Sequence, residues 1–444
     1  MRFTVTTLGC KANQYDTGTI VDVLKSSGFE QVGPGESPDV CIINTCAVTA
    51  ESVRKSRQAV RKMKKLSPDA IVAVCGCHAK LDKKEVASIG ADLIGGTDDR
   101  EEFAKKVIEL VREGATALGH PRKQTPPPVP RTRALLKIQD GCDNYCTYCI
   151  IPYARGKSRS MPLDEIVERA QKLHLQGYKE IVITGIEISS WRSSSDKSRV
   201  IVSLPCSASE PTRRLRMATR QPPSSLSEAI RTISTAAPGV RLRLGSLDPR
   251  VLTNELIHEL TQIPNLCNHF HISLQSGCDE VLQKMGRNYT TSEVLKAIAQ
   301  LRSKFDNCAI TADLIVGFPG ETDLEFAQTL ELIKKAAFSD MHIFPYSKRP
   351  GTKAGLMPNQ IEKSIKQQRA SVARQVAEQM KNEFLQSQIG KTVEVLIEEQ
   401  KGKSSIGHAS NYTKVTVISK IDKNTLKNVK IVSTKDGLLI GKIV

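Results

Sequence analysis

The sequence predicts an α/β protein of several domains, in which a Rossmann-like α/β domain precedes a partial (β/α)6 barrel and a small antiparallel β-barrel. Its 444 residues, 39% of them hydrophobic, exceed one ordinary domain and can form two or three cores. Short apolar runs alternate with amphipathic helical segments along most of the chain, as in parallel α/β folds. The tail instead alternates apolar with polar residues, as half-buried antiparallel strands do.

The first predicted domain comprises residues 1–118. Its strands are expected at residues 3–8, 40–44, 71–74 and 91–94, with helices between them. A proline-rich, basic stretch follows at residues 119–133 and is too stiff for a helix or a central strand. We therefore interpret it as a linker.

A strand-then-helix rhythm marks residues 134–387 as the barrel domain. Amphipathic runs such as 163–175 and 292–301 suit its outer ring of helices, and a long polar helix at about 360–386 leads away from it. The six predicted strands are residues 134–139, 181–185, 242–246, 269–275, 310–316 and 342–346.

Residues 388–444 contain the alternating stretches VEVLIEE, KVTVIS and KNVKIVS, which we predict to form a small antiparallel β module. Barrels of this size commonly bind nucleic acid through one curved face. A purely structural cap fits the same pattern, so the sequence pattern leaves both roles open.

Composition favours a cytoplasmic protein that uses its cysteines for metal or redox chemistry. The N-terminus lacks the pattern of an export signal, and no apolar stretch is long enough to cross a bilayer. Twelve cysteines in such a chain are unlike a disulfide framework, because cytosolic thiols stay reduced. The formal net charge of +17 favours a polyanionic partner such as RNA, although a solvated basic surface would give the same number.

Three cysteines lie close together in the segment GCDNYCTYC, directly after the first barrel strand. Cys142, Cys146 and Cys149 form a C-x3-C-x2-C pattern. A structural zinc site would need a fourth ligand, and no other Cys or His stands near this segment. Three thiolates suit a [4Fe-4S] cluster with one open iron, at the barrel end where βα loops converge.

This pattern, with Tyr148 as the aromatic residue before the last cysteine, resembles the signature of radical S-adenosylmethionine (radical SAM) enzymes. The resemblance implies that Cys142, Cys146 and Cys149 hold the catalytic cluster and that its open iron binds S-adenosylmethionine. In that family, reductive cleavage of the cofactor generates a 5′-deoxyadenosyl radical. The cofactor supplies the difficult chemistry, and the protein positions and shields it.

A second set of cysteines follows three predicted strands of the first domain. Cys10, Cys46 and Cys77 occur in LGCKANQYDT, INTCAVT and VCGCHAK. Because the carboxyl ends of parallel strands meet at one edge of a sheet, the three thiols can converge there and ligate a second cluster. Buried cysteine also acts as a small apolar side chain, which is our interpretation of Cys41 and Cys75.

The three contexts and the order of domains resemble the tRNA methylthiotransferases over nearly the whole chain. The resemblance implies an auxiliary [4Fe-4S] cluster on Cys10, Cys46 and Cys77, and a C-terminal module similar to the RNA-binding TRAM domain. It further implies tRNA as substrate, two [4Fe-4S] clusters and S-adenosylmethionine as cofactors, and a reductant protein of flavodoxin or ferredoxin type.

Within that family, LGCKANQYDT, RLGSLDP, HISLQSGCD and VGFPGET resemble the branch acting on N6-threonylcarbamoyladenosine. The implied reaction is methylthiolation of its C2 at position 37 of tRNA, next to the anticodon. The alternatives are methylthiolation of N6-isopentenyladenosine and a noncatalytic iron–sulfur protein that binds RNA.

The same resemblance implies that several strand-end residues contact S-adenosylmethionine, although polar residues at strand ends often serve only neighbouring backbone groups. We also expect phosphate contacts from the basic helix after Cys46 and from lysines of the C-terminal module, with a merely solvated charged face as the alternative. The expected cofactor residues are Tyr148, Thr184, Gly185, Ile186, Arg243, Ser246, Gln275 and Val316.

Residues 192–223 depart from the family pattern. They are rich in Ser, Pro and Arg, lack helical periodicity and carry seven basic against two acidic residues. We predict a disordered surface insertion, and hypothesise that a compensated reading-frame shift produced it. Cys206 within it is excluded from the ligand sets.

Overall fold

The computed structural model describes residues 1–33, 36–114, 132–193 and 225–444. The predicted linker lies outside these ranges except for residues 132 and 133, and the predicted insertion lies outside them except for residues 192 and 193. None of the helices in the described ranges combines the length and the apolar character that a membrane span requires.

The N-terminal domain, residues 2–114, is a parallel sheet with helices on both faces. Its five strands have the order β2-β1-β3-β4-β5, and every pair is parallel. The two-residue strand β2 was not predicted, because a run so short carries no periodicity. The elements are β1 (Arg2–Thr7), α1 (Lys11–Ser26), β2 (Glu30–Gln31), β3 (Val40–Thr45), α2 (Ala50–Leu66), β4 (Ile71–Gly76), α3 (Cys77–Leu81), α4 (Lys83–Ser88), β5 (Leu93–Ile94) and α5 (Arg100–Gly114).

Separate apolar clusters on the two faces of this sheet explain its buried strands. On one face Phe3 and Ile42 pack with Phe103 of α5, and on the other Ile43 and Val74 pack with α2. Because both faces are covered, β3 is buried along its whole length, and its first four residues are all apolar.

The central domain, residues 133–386, has six parallel strand positions in chain order around a partial barrel. The strands pair as β6-β9-β10 and as β11-β12-β13-β14, with β10 and β11 separated only by Gly245. All six predicted strands are present. The elements are β6 (Arg133–Lys137), β7 (Gln139–Asp140), α6 (Ile151–Arg155), β8 (Arg159–Ser160), α7 (Leu163–Leu175), β9 (Glu180–Thr184), α8 (Leu226–Ala236), β10 (Arg241–Leu244), β11 (Ser246–Leu247), α9 (Asn254–Thr261), β12 (His269–Gln275), α10 (Asp279–Lys284), α11 (Thr291–Lys304), β13 (Ala309–Val316), α12 (Asp323–Ala336), β14 (Asp340–Pro345), α13 (Lys353–Leu356) and α14 (Lys363–Gln386).

The C-terminal domain, residues 392–443, is a five-stranded sheet whose first and fourth strands pair, so that the sheet closes on itself. One pair, β17 with β19, is parallel, whereas the sequence predicted only antiparallel pairs. Alternation predicts which face is buried and carries no information on strand direction. The strands are β15 (Thr392–Lys401), β16 (Ser404–Ala409), β17 (Lys414–Val417), β18 (Leu426–Lys435) and β19 (Leu438–Ile443).

A buried carboxylate joins the N-terminal domain to the central domain. Asp16 of α1 is 1% exposed and forms ion pairs with Lys137 of β6, with Arg155 of α6 at 2.9 Å and with Arg100 at 3.1 Å. Burial alone would raise the pKa of Asp16, but Arg155, then Lys137 and Arg100, lower it overall. The carboxylate therefore stays charged and ties α1 to the first barrel strand.

A second buried carboxylate organises the contact with the C-terminal domain. Glu180 of β9 accepts hydrogen bonds from Arg241 and Arg243, whose guanidinium groups also donate to backbone oxygens of the C-terminal domain. Burial opposes its ionisation, yet the two arginines lower the pKa of Glu180 to about 2. The two arginines therefore pair with Glu180 inside the central domain, and across the boundary Arg241 also lies 3.6 Å from the carboxylate of Glu394.

Candidate active site

The first cysteine triad lies on one loop at the carboxyl end of the first barrel strands. Cys142 and Cys146 are buried, and Cys149 is partly buried. Burial raises the pKa of Cys142 to about 11 and that of Cys149 to about 12, and the neighbouring thiols add to both shifts. Such thiols become ligands only when a cation or cluster compensates their negative charge.

Backbone hydrogen bonds hold this loop against the far side of the barrel. The amide of Thr147 donates to the carbonyl of Met285 at 2.9 Å, and the amide of Ala354 donates to the carbonyl of Thr147 at 2.7 Å. The Thr147 hydroxyl adds a bond to the carbonyl of Lys284 at 2.9 Å. The three thiols are therefore positioned by the fold and not only by their spacing.

The second triad forms at the carboxyl edge of the N-terminal sheet, as the sequence predicted from three strand ends. Cys46 and Cys77 follow β3 and β4 directly, and Cys10 caps the start of α1. At Gly9, φ is +98° and an added Cβ would lie 2.8 Å from the sulfur of Cys46, so only glycine allows this approach. Burial raises the pKa of Cys77 to about 11, and both Cys10 and Cys46 raise it further by their proximity.

Arg155 of the central domain reaches into this second triad. Its guanidinium donates a hydrogen bond to Cys77, another to Asn13 at 2.5 Å, and pairs with Asp16 and with Asp140 at 2.8 Å. The side chain is fully buried. The environment of the second triad is thus completed by a cation from a different domain.

One cavity of about 920 Å³ connects the two triads and is lined by all three domains. Cys10 opens into it from the N-terminal domain, and Tyr412 and Lys414 line it from the C-terminal domain. Most residues singled out from the sequence also line it, namely Cys142, Cys146, Tyr148, Cys149, Thr184, Gly185, Ile186, Ser246 and Gln275.

Cys46 and Cys77 lie behind Cys10 and do not line the cavity wall, being 4% and 2% exposed. They remain able to hold a cluster whose third ligand is Cys10. The remaining thiols of this domain, Cys41 and Cys75, belong to its apolar clusters, as the sequence predicted.

Two expected cofactor residues lie elsewhere. The guanidinium of Arg243 donates hydrogen bonds to Glu180 and to the carbonyls of Ala409 and Ser410. It therefore joins the central domain to the C-terminal domain. Val316 is fully buried in the barrel core, and its carbonyl accepts from the amide of Tyr346 at 2.8 Å. In this structure the guanidinium of Arg243 contacts the C-terminal domain and does not line the cavity, because a strand position alone does not decide which face of the sheet a long side chain follows.

The turn after β9 brings backbone close to the cavity. A Cβ on Gly185 would lie 2.8 Å from the carbonyl oxygen of Gln139 and 2.9 Å from Ile188. The side-chain oxygen of Gln139 accepts from the amides of Ile186 at 3.1 Å and Glu187 at 2.7 Å. Glycine and these bonds together hold the strand end at the mouth of the barrel.

The pattern of the Radical SAM superfamily matches residues 136–333, and that of the uncharacterized protein family UPF0004 matches residues 2–96. A curated relative from Bacillus subtilis (strain 168), named threonylcarbamoyladenosine tRNA methylthiotransferase MtaB, is 34% identical over 425 residues, which are 92% of this chain and 88% of the relative. The chain belongs to the MtaB-like methylthiotransferase family.

Two further comparisons place this methylthiotransferase family member among its neighbours. A protein from Pelotomaculum thermopropionicum, named tRNA-2-methylthio-N(6)-dimethylallyladenosine synthase, is 29% identical over 91% of this chain and 88% of the relative. A solved structure of the radical S-adenosylmethionine methyltransferase TsrM from Kitasatospora setae, with cobalamin and a [4Fe-4S] cluster bound, has a TM-score of 0.55. It is 16% identical and covers 80% of this chain and 77% of that chain, so the likeness is one of fold.

Arg287 is a residue of this family member that the sequence analysis missed. Its guanidinium donates to the sulfur of Cys146 at 3.5 Å and to the carbonyl of Ser273 at 3.0 Å, and lies 3.5 Å from Asp248. The guanidinium therefore places a buried positive charge beside the first triad. Nothing local in MGRNYT indicates this role, because the contact spans 141 residues of chain.

The sequence analysis also missed a polar cluster inside the barrel. Asp313 of β13 accepts from His271 and from His342, each at 3.1 Å, and His271 also bonds to Thr311 at 2.8 Å. Burial alone would raise the pKa of Asp313, but the hydrogen bonds of the two histidines lower it overall. These side chains alternate with apolar ones along β12 to β14, and so face the cavity together.

The basic helix α2 is partly neutralised within its own domain. Arg54 pairs with Glu51 at 2.6 Å, Arg57 with Glu85 at 2.8 Å and Lys64 with Asp92 at 3.0 Å. The expected phosphate contacts of this helix therefore rest on its remaining cations, Arg61, Lys62 and Lys65.

Proposed function

We propose that the protein transfers a methylthio group to C2 of N6-threonylcarbamoyladenosine at position 37 of tRNA. The observation that carries this function is the single cavity in which Cys10 of one cysteine triad and all three cysteines of the other face the same space. Two consecutive reactions on one nucleoside need such an arrangement, because the sulfur donor and the radical must reach the same carbon.

Each triad has a donor set that fits a [4Fe-4S] cluster. The buried thiols of Cys142, Cys146 and Cys149 have the soft sulfur ligands and the charge compensation, from Arg287, that such a cluster requires. Cys10, Cys46 and Cys77 offer the same soft sulfur ligands, two of them buried and Cys10 exposed to the cavity, with Arg155 in the corresponding role. When bound, S-adenosylmethionine and the clusters supply the radical and the methylthio sulfur.

The protein's own residues position the reactants and exclude water. Gly185 and the Gln139 bonds hold the β9 turn close to the loop of the first triad, where the cofactor's amino acid part would lie. Ser246 and Gln275 offer polar groups deeper in the cavity, and Tyr148 forms part of its wall. We assign these residues, with Thr184 and Ile186, to cofactor binding.

The C-terminal domain is proposed to bind tRNA in the manner of a TRAM domain. It contributes Tyr412 and Lys414 to the cavity, so an RNA held on its surface can insert a base toward the two triads. A flavodoxin or ferredoxin is the proposed electron donor, and the cytoplasm the proposed compartment. The catalytic cluster must be reduced before it can cleave S-adenosylmethionine, which requires an electron donor. The tRNA substrate supports the assignment to the cytoplasm.

The alternatives receive less support. Curated relatives named for threonylcarbamoyladenosine are 32–34% identical, against 29–30% for those named for dimethylallyladenosine. A noncatalytic RNA-binding protein has no need of a cluster with an open iron facing a cavity.

The test is anaerobic reconstitution of the full chain with iron and sulfide, followed by dithionite, S-adenosylmethionine and tRNA that carries threonylcarbamoyladenosine. We expect a methylthio nucleoside by mass spectrometry. Formation of 5′-deoxyadenosine without that product would contradict the proposed nucleoside substrate. If a parallel assay gave product only from tRNA that carries isopentenyladenosine, methylthiolation of that nucleoside would be favoured instead. Failure to form either product with both clusters present would contradict the enzymatic function.

A further inference from the structure

Lys11 places a positive charge in the cavity, and none of the ion pairs among the described residues involves it. It is the first residue of α1, directly after Cys10, and its side chain lines the cavity wall. Among the described residues, no carboxylate lies within ion-pair distance of its ammonium group. A cation in a partly enclosed space that lacks a protein partner is suited to bind an anionic ligand.

Apart from Lys414 of the C-terminal domain, the other charged groups of the cavity have partners or a disfavoured charge within the described residues. Asp313 accepts from two histidines, and Asp340 pairs with Lys381 at 3.0 Å. Burial raises the pKa of Glu187, which disfavours its negative charge. The wall near Lys11 therefore carries a surplus positive charge.

The side chains that face Lys11 across the cavity come from the other two domains, while the more distant carboxylate of Glu180 is held by Arg241 and Arg243. His269, His342 and Tyr412 all interact electrostatically with Lys11. The Nδ1 atom of His269 is buried without a hydrogen-bond partner in the described part of the chain. The cavity wall at this point therefore carries the ammonium group of Lys11, and the buried Nδ1 of His269 is a nearby nitrogen whose hydrogen-bonding capacity is not used by the described residues.

We infer that Lys11 binds the carboxylate of the threonylcarbamoyl side chain and distinguishes this nucleoside from those with an uncharged N6 group. This inference rests on the proposed function, because that side chain carries one carboxylate at neutral pH. A dimethylallyl group has no charge to offer and would leave the ammonium unpaired, and a site built for a polar group rejects ligands that lack it. Since Cys10 is the preceding residue, the N6 group is held on the same wall as the auxiliary triad.

The experiment compares anticodon stem-loops that differ only in the N6 group: threonylcarbamoyladenosine, its neutral methyl ester, and unmodified adenosine. Dissociation constants are measured with the full-length reconstituted protein and with Lys11→Met and Lys11→Arg. Lys25→Met is the control, because it removes an exposed charge from the same helix outside the cavity. Iron content of each variant is measured alongside.

We expect the wild-type protein to bind the acid at least about tenfold more tightly than the ester, as befits a partly buried charge pair. Lys11→Met should bring this ratio close to one, Lys11→Arg should retain much of it, and Lys25→Met should leave it unchanged. Because the ratio is taken within one protein, loss of folded or cluster-bearing molecules cancels. An unchanged ratio in Lys11→Met would overturn the inference.

A turnover assay separates this inference from the proposed function. If the wild-type protein forms methylthio product and Lys11→Met has the same kcat/KM, the function stands and the role of Lys11 is wrong. If no product forms but the acid-to-ester ratio depends on Lys11, carboxylate binding stands and the reaction is wrong.

Discussion

The two cysteine triads of this methylthiotransferase are built in opposite ways. Cys142, Cys146 and Cys149 lie within eight residues on one loop, whereas Cys10, Cys46 and Cys77 come from three strand ends of a parallel sheet. Each triad has one buried arginine that donates to a cysteine sulfur. For the loop triad the arginine belongs to the same barrel, but for the sheet triad it comes from the neighbouring domain.

This difference predicts different vulnerabilities. The loop triad depends on backbone bonds inside the central domain, such as that between Thr147 and Met285. The sheet triad depends on Arg155, and thus on the ion pairs that join Asp16 to the central domain. Damage to the domain boundary should therefore disable the second site and spare the first.

The largest expected effect is complete loss of product from a single cysteine change, with different partial reactions surviving. Cys146→Ala should abolish both cofactor cleavage and methylthio product. Cys46→Ala should abolish the product but retain formation of 5′-deoxyadenosine, with about half of the iron because each cluster holds the same number of atoms. Iron analysis and product chromatography check this, and equal loss of cleavage in both variants would contradict the independence of the triads.

Asp16→Asn should destabilise the protein by ~3–5 kcal/mol, because it leaves buried cations without their counter-ion. Urea unfolding measures the loss, and Asp22→Asn on the exposed side of the same helix serves as the matched control. We also expect lower auxiliary iron with preserved cofactor cleavage. Equal iron loss from both triads would contradict the prediction that the domain boundary supports only the sheet triad.

Gly185→Ala should impair cofactor binding at the loop triad and leave the sheet triad intact. The new Cβ would lie 2.8 Å from a backbone oxygen, and such overpacking costs ~1–3 kcal/mol. We expect the KM for S-adenosylmethionine to rise by about tenfold or more, since ~1.4 kcal/mol corresponds to a factor of ten. Auxiliary iron should stay at the wild-type level, and its loss would contradict the separation of the two sites.

Acid should weaken the ion pairs of Asp16 that join the N-terminal domain to the central domain, within a defined pH range. The pKa of Asp16 is lowered in the folded protein, while an unfolded Asp titrates near about 3.9. Its contribution is therefore present above about pH 4 and is lost as the pH falls through the folded pKa. The stability difference between wild type and Asp16→Asn should stay constant from neutral pH to about 5 and shrink below about 4 in urea titrations, and a constant difference throughout would contradict this role.

Sequence reasoning was most successful where chemistry is local. The C-x3-C-x2-C spacing, the strand positions and the alternation in the tail all depend on neighbours a few residues apart. The sheet triad was also predictable, because the carboxyl ends of parallel strands must share an edge. The contacts of Arg243 could not be predicted in this way, since a strand-end position does not determine what a long side chain contacts.

The sequence by itself determined the three-part architecture, the two triads and the family, because short motifs and periodicity encode them. Only the tertiary structure decided that both triads meet one cavity, that Arg287 and Arg155 serve them, and that Lys11 has no ion-pair partner in the part of the chain that the structure describes. These facts depend on how side chains from distant parts of the chain compensate each other's charge once they are buried. The spacing of neighbouring residues cannot predict such pairs, because their members are more than seventy residues apart in the sequence.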